Sequence, residues 1–150
     1  MTGPRTLPAI ALALFTFLLT PAAQATEMVS IDRAEANMRT GAGTGHEVIW
    51  VLARGYPLQV LGRQGKWLKV RDFENDVGWV YRTLTARKPH MVVKSKVANI
   101  RSAPTTRSRI VGKAEYGEVL RTLENRSGWT KIRNETGLVG WVSRKLLWGW

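Results

Sequence analysis

An internal repeat constrains this chain more than any other feature of its sequence. The tripeptide Gly-Trp-Val occurs at residues 78–80 and again at residues 140–142. A second tryptophan precedes each copy at the same distance, Trp67 in the first copy and Trp129 in the second, so one offset of 62 residues relates both signals. Self-similarity at a fixed period is typical of a repeated structural unit. The sequence therefore predicts two copies of one unit of roughly 60 residues.

The same offset aligns the chain without a gap from residue 36 to residue 84. Residues 36–39 (Ala-Asn-Met-Arg) align with residues 98–101 (Ala-Asn-Ile-Arg). The remaining matched pairs are Thr44 with Thr106, Gly55 with Gly117, Leu58 with Leu120, Leu61 with Leu123, Arg82 with Arg144 and Leu84 with Leu146.

Short strands separated by turns are predicted throughout both units. Residues 28–31 and 67–70 alternate between apolar and polar side chains, residues 58–61 are rich in strand-forming residues, and residues 62–65 and 72–76 supply turns. No window keeps a period of 3.6 long enough for a helix of about ten residues. About five short strands with tight turns per unit indicate an all-β chain of two small barrels.

The amino-terminal residues have the layout of a cleavable secretory signal peptide. Arg5 precedes an apolar run over residues 9–19, and Pro21 and the triplet Ala23-Gln24-Ala25 follow it. The run is shorter than the roughly 20 residues that a membrane-spanning helix needs. An uncleaved membrane anchor is the alternative. The predicted divisions are a signal peptide at 1–25, a first domain at 26–86, a short linker at 87–90 and a second domain at 91–150.

An exported chain without cysteine has to be stabilised by side-chain packing alone. Large aromatic side chains each bury on the order of 150–250 Å². The tryptophans that recur in both copies are therefore predicted to form the barrel core or its edge. They are Trp67, Trp79, Trp129 and Trp141.

These residues resemble the bacterial SH3 domain family, here in tandem. The resemblance rests on Asn-hydrophobe-Arg, a loop of small residues, Trp-x-Lys-hydrophobe, Gly-Trp-Val and a final Leu, and it extends from about Met28 to Trp148. It implies two partly open five-stranded SH3-like barrels, each with a short helical turn near residues 81–84 and 143–146. The small-residue loop departs from the family's Gly-Pro-Gly, because it reads Gly-Ala-Gly at 41–43 and Ala-Pro-Thr at 103–105.

The sequence predicts no catalytic site, metal or cofactor. There is no cysteine nucleophile, and His46 and His90 fall in separate segments without a paired motif. Asp72, Glu74 and Asp76 alternate in a turn, but the glycine and closing glutamate of a calcium loop are missing. A solvated hairpin tip is the better interpretation, and the chain is predicted not to be an enzyme.

Aromatic residues that differ between the copies are candidates for ligand recognition, because a stacking surface suits peptides and sugars. We select Trp50, Tyr56 and Tyr116 on this ground. Trp148 and Trp150 could instead close the second barrel.

The positive charge is concentrated in the second unit. Residues 27–86 hold 8 basic and 7 acidic residues, a net charge of +1, whereas residues 87–150 hold 14 basic and 4 acidic residues, a net charge of +10. Such a field gathers anions. We select Arg107, Arg109 and Arg126 as candidate ligand-binding residues, and solubility of an exported protein is the alternative explanation of the charge.

The predicted function is a non-catalytic binding module of the cell envelope. The resemblance implies peptidoglycan or another anionic cell-wall peptide or glycan as partner. The alternative is a periplasmic adaptor or regulator of a separate cell-wall enzyme or receptor. Nucleic acid is disfavoured because export would separate the chain from it, and the periplasm is preferred to full secretion. No transmembrane segment is predicted in the mature chain, and its oligomeric state is left open.

Overall fold

A computed structural model describes residues 24–150 of the chain, so the signal peptide predicted for residues 1–25 lies almost wholly outside the described residues. Besides loops, the described part consists of strands and two three-residue 3₁₀ turns, Arg82–Leu84 and Arg144–Leu146. Both turns lie where the family resemblance implied helical turns, which confirms that prediction. Neither turn, nor any other part of residues 24–150, forms an apolar helix long enough to cross a bilayer.

The first unit is one antiparallel sheet of seven strands. Its spatial order is β3-β2-β6-β5-β4-β1-β7. The strands are β1 Met28–Ile31, β2 Glu35–Arg39, β3 Val48–Ala53, β4 Pro57–Gln64, β5 Trp67–Arg71, β6 Val77–Tyr81 and β7 Thr85–Ala86.

The second unit repeats this order as β10-β9-β13-β12-β11-β8-β14. The strands are β8 His90–Val93, β9 Val97–Arg101, β10 Ile110–Glu115, β11 Val119–Arg126, β12 Trp129–Arg133, β13 Val139–Ser143 and β14 Leu147–Gly149. Five of them, β9 to β13, begin and end 62 residues after β2 to β6, so the sequence repeat is also a structural repeat.

Each sheet contains more strands than the five predicted. One additional strand is β2, whose Glu, Asn and Arg make it polar in sequence, although Ala36 and Met38 alternate inward and are buried. Another is β7, which has only two residues and forms because Ala86 and Thr85 pair with Ser30 and Ile31 of β1. A two-residue strand carries no periodic signal, so only tertiary pairing creates it.

Aliphatic side chains fill both cores. The first core includes Met38, Leu58, Val70 and Val80, and the second contains Ile100, Leu120, Ile132 and Val142 at the equivalent positions. All eight are fully buried. Burial of this kind contributes about 25 cal/mol for each Å² of apolar surface removed from water.

Three of the four recurring tryptophans lie at the edge of the barrels, and the fourth, Trp141, is buried. Trp141 is 6% exposed, and Trp67, Trp79 and Trp129 are half-buried. The reason is strand alternation: in β6, Gly78 and Val80 face inward, so the residue between them faces out.

The two barrels touch through an aromatic contact and through the linker, as a short linker predicts. Tyr116 of the second barrel donates its hydroxyl to Glu74 of the first, and its ring centroid lies 5.3 Å from that of Phe73. In the linker, the Lys88 ammonium lies 2.7 Å from an Asp32 carboxylate oxygen. His90, the last residue of the predicted linker and the first of β8, packs against Gly55. These contacts hold the barrels against each other.

Candidate functional site

Each barrel carries a groove, and the two grooves lie at equivalent positions. Groove 1, in the first barrel, encloses about 680 Å³ and groove 2, in the second barrel, about 620 Å³. Seven lining positions correspond at the 62-residue offset. These are Glu35 and Val97, Asn37 and Asn99, Arg39 and Arg101, Thr44 and Thr106, Trp67 and Trp129, Tyr81 and Ser143, and Leu84 and Leu146.

The fold explains why these residues meet. Strand β2 alternates, so Ala36 and Met38 face the core while Glu35, Asn37 and Arg39 line the groove or its edge. Trp67 at the start of β5 and Tyr81 at the end of β6 also line groove 1, and the 3₁₀ turn contributes Leu84. The outward face of β2 therefore forms one side of the groove, and this explains why the strand is polar in sequence.

An arginine at the end of β2 and of β9 fixes the loop beside each groove. Nη1 of Arg39 donates to the carbonyl oxygens of Thr44 at 3.1 Å and His46 at 2.9 Å. Nη1 of Arg101 donates to those of Thr106 and Ser108, both at 2.9 Å. The loop sequences differ, yet the same guanidinium contact recurs because it uses backbone acceptors that any sequence supplies.

The aromatic lining differs between the grooves. In groove 1 the rings of Trp67 and Tyr81 are tilted at 60° with centroids 5.3 Å apart. Tilted rings at this separation attract each other and form a rigid apolar wall. In groove 2 Trp129 faces Ser143 at the equivalent position, so it lacks an aromatic neighbour there. Groove 1 therefore offers more aromatic surface.

The aromatic residues selected from the sequence line neither groove. The Trp50 indole donates to an Asp76 carboxylate oxygen at 2.8 Å, although the side chain is exposed. Tyr56 packs against the first core and near Phe73, and burial raises the pKa of its hydroxyl. Tyr116 contacts the first barrel, and its hydrogen bond to a carboxylate there raises its pKa. Their role in ligand binding stays a prediction.

The selected arginines divide into two groups. Arg107 and Arg109 are exposed in the loop that contributes Thr106 to groove 2. Arg126 lies elsewhere: its guanidinium carbon is 5.2 Å from the Trp141 ring centroid, and it pairs with Glu124 at 2.6 Å. Two of the three arginines are therefore near a groove, and the third covers a tryptophan.

Sequence reasoning overlooked Asn37, Tyr81 and their counterparts as lining residues. Asn37 and Asn99 recur in both copies, and the repeat itself was the signal that could have identified them. Tyr81 met the criterion used to select aromatics, because Ser143 replaces it in the second copy, but it was not selected.

The acidic cluster has a structural explanation without an ion. Asp72, Glu74 and Asp76 offer oxygens within 4.8 Å of one another. Asp72 is 3% exposed, and its Oδ1 accepts the backbone N–H groups of Glu74 and Asp76, both at 2.9 Å. The other two carboxylates accept from Tyr116 and Trp50. Each acid thus has a protein partner.

We expect Asp72→Asn to stabilise the protein at neutral pH. Burial, aided by the two nearby carboxylates, raises the pKa of Asp72, so its ionised form is disfavoured in the folded state. The equivalent Asn134 already accepts the Leu138 N–H at 2.9 Å with a neutral side chain. The gain should be below about 1 kcal/mol.

The pH dependence tests this explanation. A raised folded-state pKa contributes stability below the unfolded pKa of about 3.9, and that contribution is lost as pH rises through the folded pKa. Urea unfolding of Asp72→Asn and wild type should therefore differ at pH 7 and converge near pH 3. An Asp72→Asn variant that is less stable than wild type at pH 7 would contradict it.

The fold and the paired grooves define a tandem domain protein, and comparison with known families names the class. Residues 32–86 and residues 96–147 each match a family described as bacterial SH3 domain. The chain therefore belongs to the bacterial SH3 domain proteins, with two such domains in tandem.

A relative from Bacillus subtilis (strain 168), which carries the name of an N-acetylmuramoyl-L-alanine amidase, YrvJ, is 25% identical over 146 residues. That match covers 85% of this chain and 28% of the relative, so the chain spans well under a third of its length. Among solved structures, NlpC2 from Trichomonas vaginalis is 15% identical with a TM-score of 0.39, covering 85% of this chain and 49% of that one. An NlpC/P60 family protein from Bacillus cereus ATCC 10987 is 13% identical with a TM-score of 0.38, covering 83% and 56%.

Proposed function

We propose that this chain is a non-catalytic binding module of the cell envelope that takes a cell-wall component into its two grooves. The observation that carries the proposal is the duplication: both barrels place a tryptophan, an asparagine and a loop-anchoring arginine at equivalent lining positions. Two similar sites on one chain suit a polymer with a repeating structure, because the second contact then forms at a high effective concentration.

The family and the relative support a cell-wall ligand. The relative's name is that of an enzyme acting on a cell-wall bond, and the present chain aligns with a minor part of it. A binding region accompanying an enzyme is consistent with that coverage. We place the chain outside the cytoplasm, in the periplasm rather than the medium, in keeping with the leader predicted from the sequence.

The two histidines, the residue type most often used in acid–base catalysis, lie in different places. His46 packs against Gly41 in the loop that borders groove 1, and its carbonyl is held by Arg39. His90 packs against Gly55 between the barrels, where burial lowers the pKa of its ring and Nδ1 lies 2.8 Å from the Lys88 carbonyl.

Co-sedimentation with purified peptidoglycan sacculi tests the proposal. The chain from residue 26 onward should pellet at low salt, and pelleting should decrease at high salt because exposed cations are screened beyond about 8 Å at physiological ionic strength. Arg107→Glu, Arg109→Glu and Arg126→Glu combined should weaken pelleting strongly, since they reverse charge on the basic barrel.

The contradicting outcomes are distinct. Pelleting that persists in the triple variant would remove these arginines from the site. Absence of pelleting at either salt would reject the cell-wall ligand and favour a protein adaptor, which capture of partners from envelope extracts would then identify.

A further inference from the structure

The two grooves differ in charge at equivalent positions. Glu35 of groove 1 is replaced by Val97 in groove 2, and Thr83 is replaced by Lys145. Glu35 and Arg39 are the charged residues lining groove 1, so their formal charges cancel. Arg101, Arg144 and Lys145 line groove 2 with no acidic residue, a formal charge of +3. The duplicated site has therefore diverged electrostatically at two positions, because Arg144 itself is matched by Arg82 in the first unit.

The cations of groove 2 are not neutralised by the protein. Arg101 donates to two loop carbonyls, and Nη1 of Arg144 donates to the neutral Asn125 side chain at 2.9 Å. None of Arg101, Arg144 and Lys145 forms an ion pair with an acid within residues 24–150. Arg144 and Lys145 are exposed at the adjoining 3₁₀ turn. Their positive charge is available to an anionic ligand.

Three further lining residues of groove 2 are apolar, whereas Asn99, Thr106 and Ser143 are polar. Val97 is 46% exposed, and Trp129 and Leu146 are half-buried beside it. Apolar surface of this kind gains free energy when a ligand covers it. A phosphate polymer would neutralise the cations and leave this apolar surface exposed to water. A ligand with an apolar body and one anionic end satisfies both.

We propose that groove 2 binds a short apolar peptide through its free C-terminal carboxylate, with Lys145 and Arg144 facing the carboxylate and Val97 and Trp129 contacting the body. Groove 1 does not select for the carboxylate, because the charges of Glu35 and Arg39 cancel there. This inference rests on the proposed use of the grooves and names the ligand chemistry of one of them. Charge-assisted hydrogen bonds to a carboxylate are about twice as strong as neutral ones, which gives groove 2 its selectivity.

The test uses N-acetyl-alanyl-alanine and its C-terminal amide, which have nearly the same shape and differ in charge. In ¹H–¹⁵N spectra of the chain from residue 26, the acid should shift the Trp129 indole resonance saturably. The amide should bind at that site more weakly, by a factor on the order of five or more. The Trp67 indole should respond equally to both compounds.

Reciprocal substitutions provide matched controls, because each one introduces the residue that the other barrel has at the equivalent position. Val97→Glu with Lys145→Thr should abolish the preference at Trp129, and Glu35→Val with Thr83→Lys should create one at Trp67. All four positions are exposed, so the folded spectrum should be retained. Equal response of Trp129 to acid and amide, or no response to either, would overturn the inference.

Two further measurements separate the possible failures. Inorganic phosphate that shifts Trp129 as strongly as the acid would show a general anion site and overturn peptide selectivity. Acid-selective binding at Trp129 without pelleting on sacculi would retain this inference and reject the cell-wall ligand. Pelleting without acid selectivity at Trp129 would support the cell-wall ligand and overturn this inference.

Discussion

Replacing Gly140 with alanine is expected to lower the free energy of unfolding by about 2–3 kcal/mol, the upper part of the range for overpacking a core. A Cβ atom at this position would lie 2.5 Å from Cγ2 of Ile100 and 2.8 Å from the carbonyl oxygen of Arg101. The carbonyl belongs to the paired strand β9 and cannot move aside cheaply. The glycine of Gly-Trp-Val is therefore required by the close approach of that strand.

Gly78→Ala should have a similar but smaller effect. Its Cβ would lie 2.8 Å from Cγ of Met38 and 2.9 Å from the Arg39 carbonyl oxygen. Methionine is unbranched and adapts more readily than isoleucine, so part of the clash is relieved. Both substitutions press on the residue whose guanidinium anchors the groove loop, and groove binding should decline with stability.

Gly62→Ala is the matched control, because Gly62 also lies in a strand and its added Cβ would meet only Lys69 Cβ at 3.9 Å. Chemical denaturation of the three variants at pH 7 provides the measurement. Gly140→Ala as stable as Gly62→Ala would show that the strands can separate enough to admit a methyl group, contrary to this explanation.

Combined Trp67→Ala and Trp129→Ala should reduce sacculus binding by more than ten-fold, and each single variant should have a partial effect. Truncating a tryptophan at the centre of an interface commonly costs about 2 kcal/mol or more, which is about 30-fold in affinity. Each tryptophan lines one groove, so the loss should be shared between the barrels. Co-sedimentation across a range of sacculus concentrations gives the affinities.

Leu61→Ala with Leu123→Ala is the control for this pair. These leucines are also equivalent in the two barrels, are 45% and 39% exposed, and line neither groove. Thermal unfolding of both double variants separates lost binding from lost structure. Trp50→Ala decides between sites: if it removes binding while the groove variant does not, the ligand occupies the surface first selected from the sequence.

The Gly-Trp-Val repeat illustrates how far sequence reasoning reached. Its period revealed two units, and the short segments around it indicated an all-β fold. The resemblance to the bacterial SH3 family rested on the combined motifs, and that resemblance implied the short helical turns. The alternation of buried and exposed residues in β6 then placed Trp79 outside the aliphatic centre. The sequence predicted the tryptophans at the core or at its edge, and the choice between the two depends on the face of the strand on which each one lies.

The sequence by itself determined the duplication, the strand-rich fold and the concentration of charge in the second unit, because these depend on composition and on local period. Only the tertiary structure decided which residues meet. Glu35, Trp67 and Tyr81 share a groove although up to 46 positions separate them, and Tyr116 faces Glu74 across the barrels. The pairing of strands over such separations is fixed by the side chains that each strand buries on its opposite face. The groove therefore follows from the packing of the core, and no local sequence pattern of the lining residues predicts it.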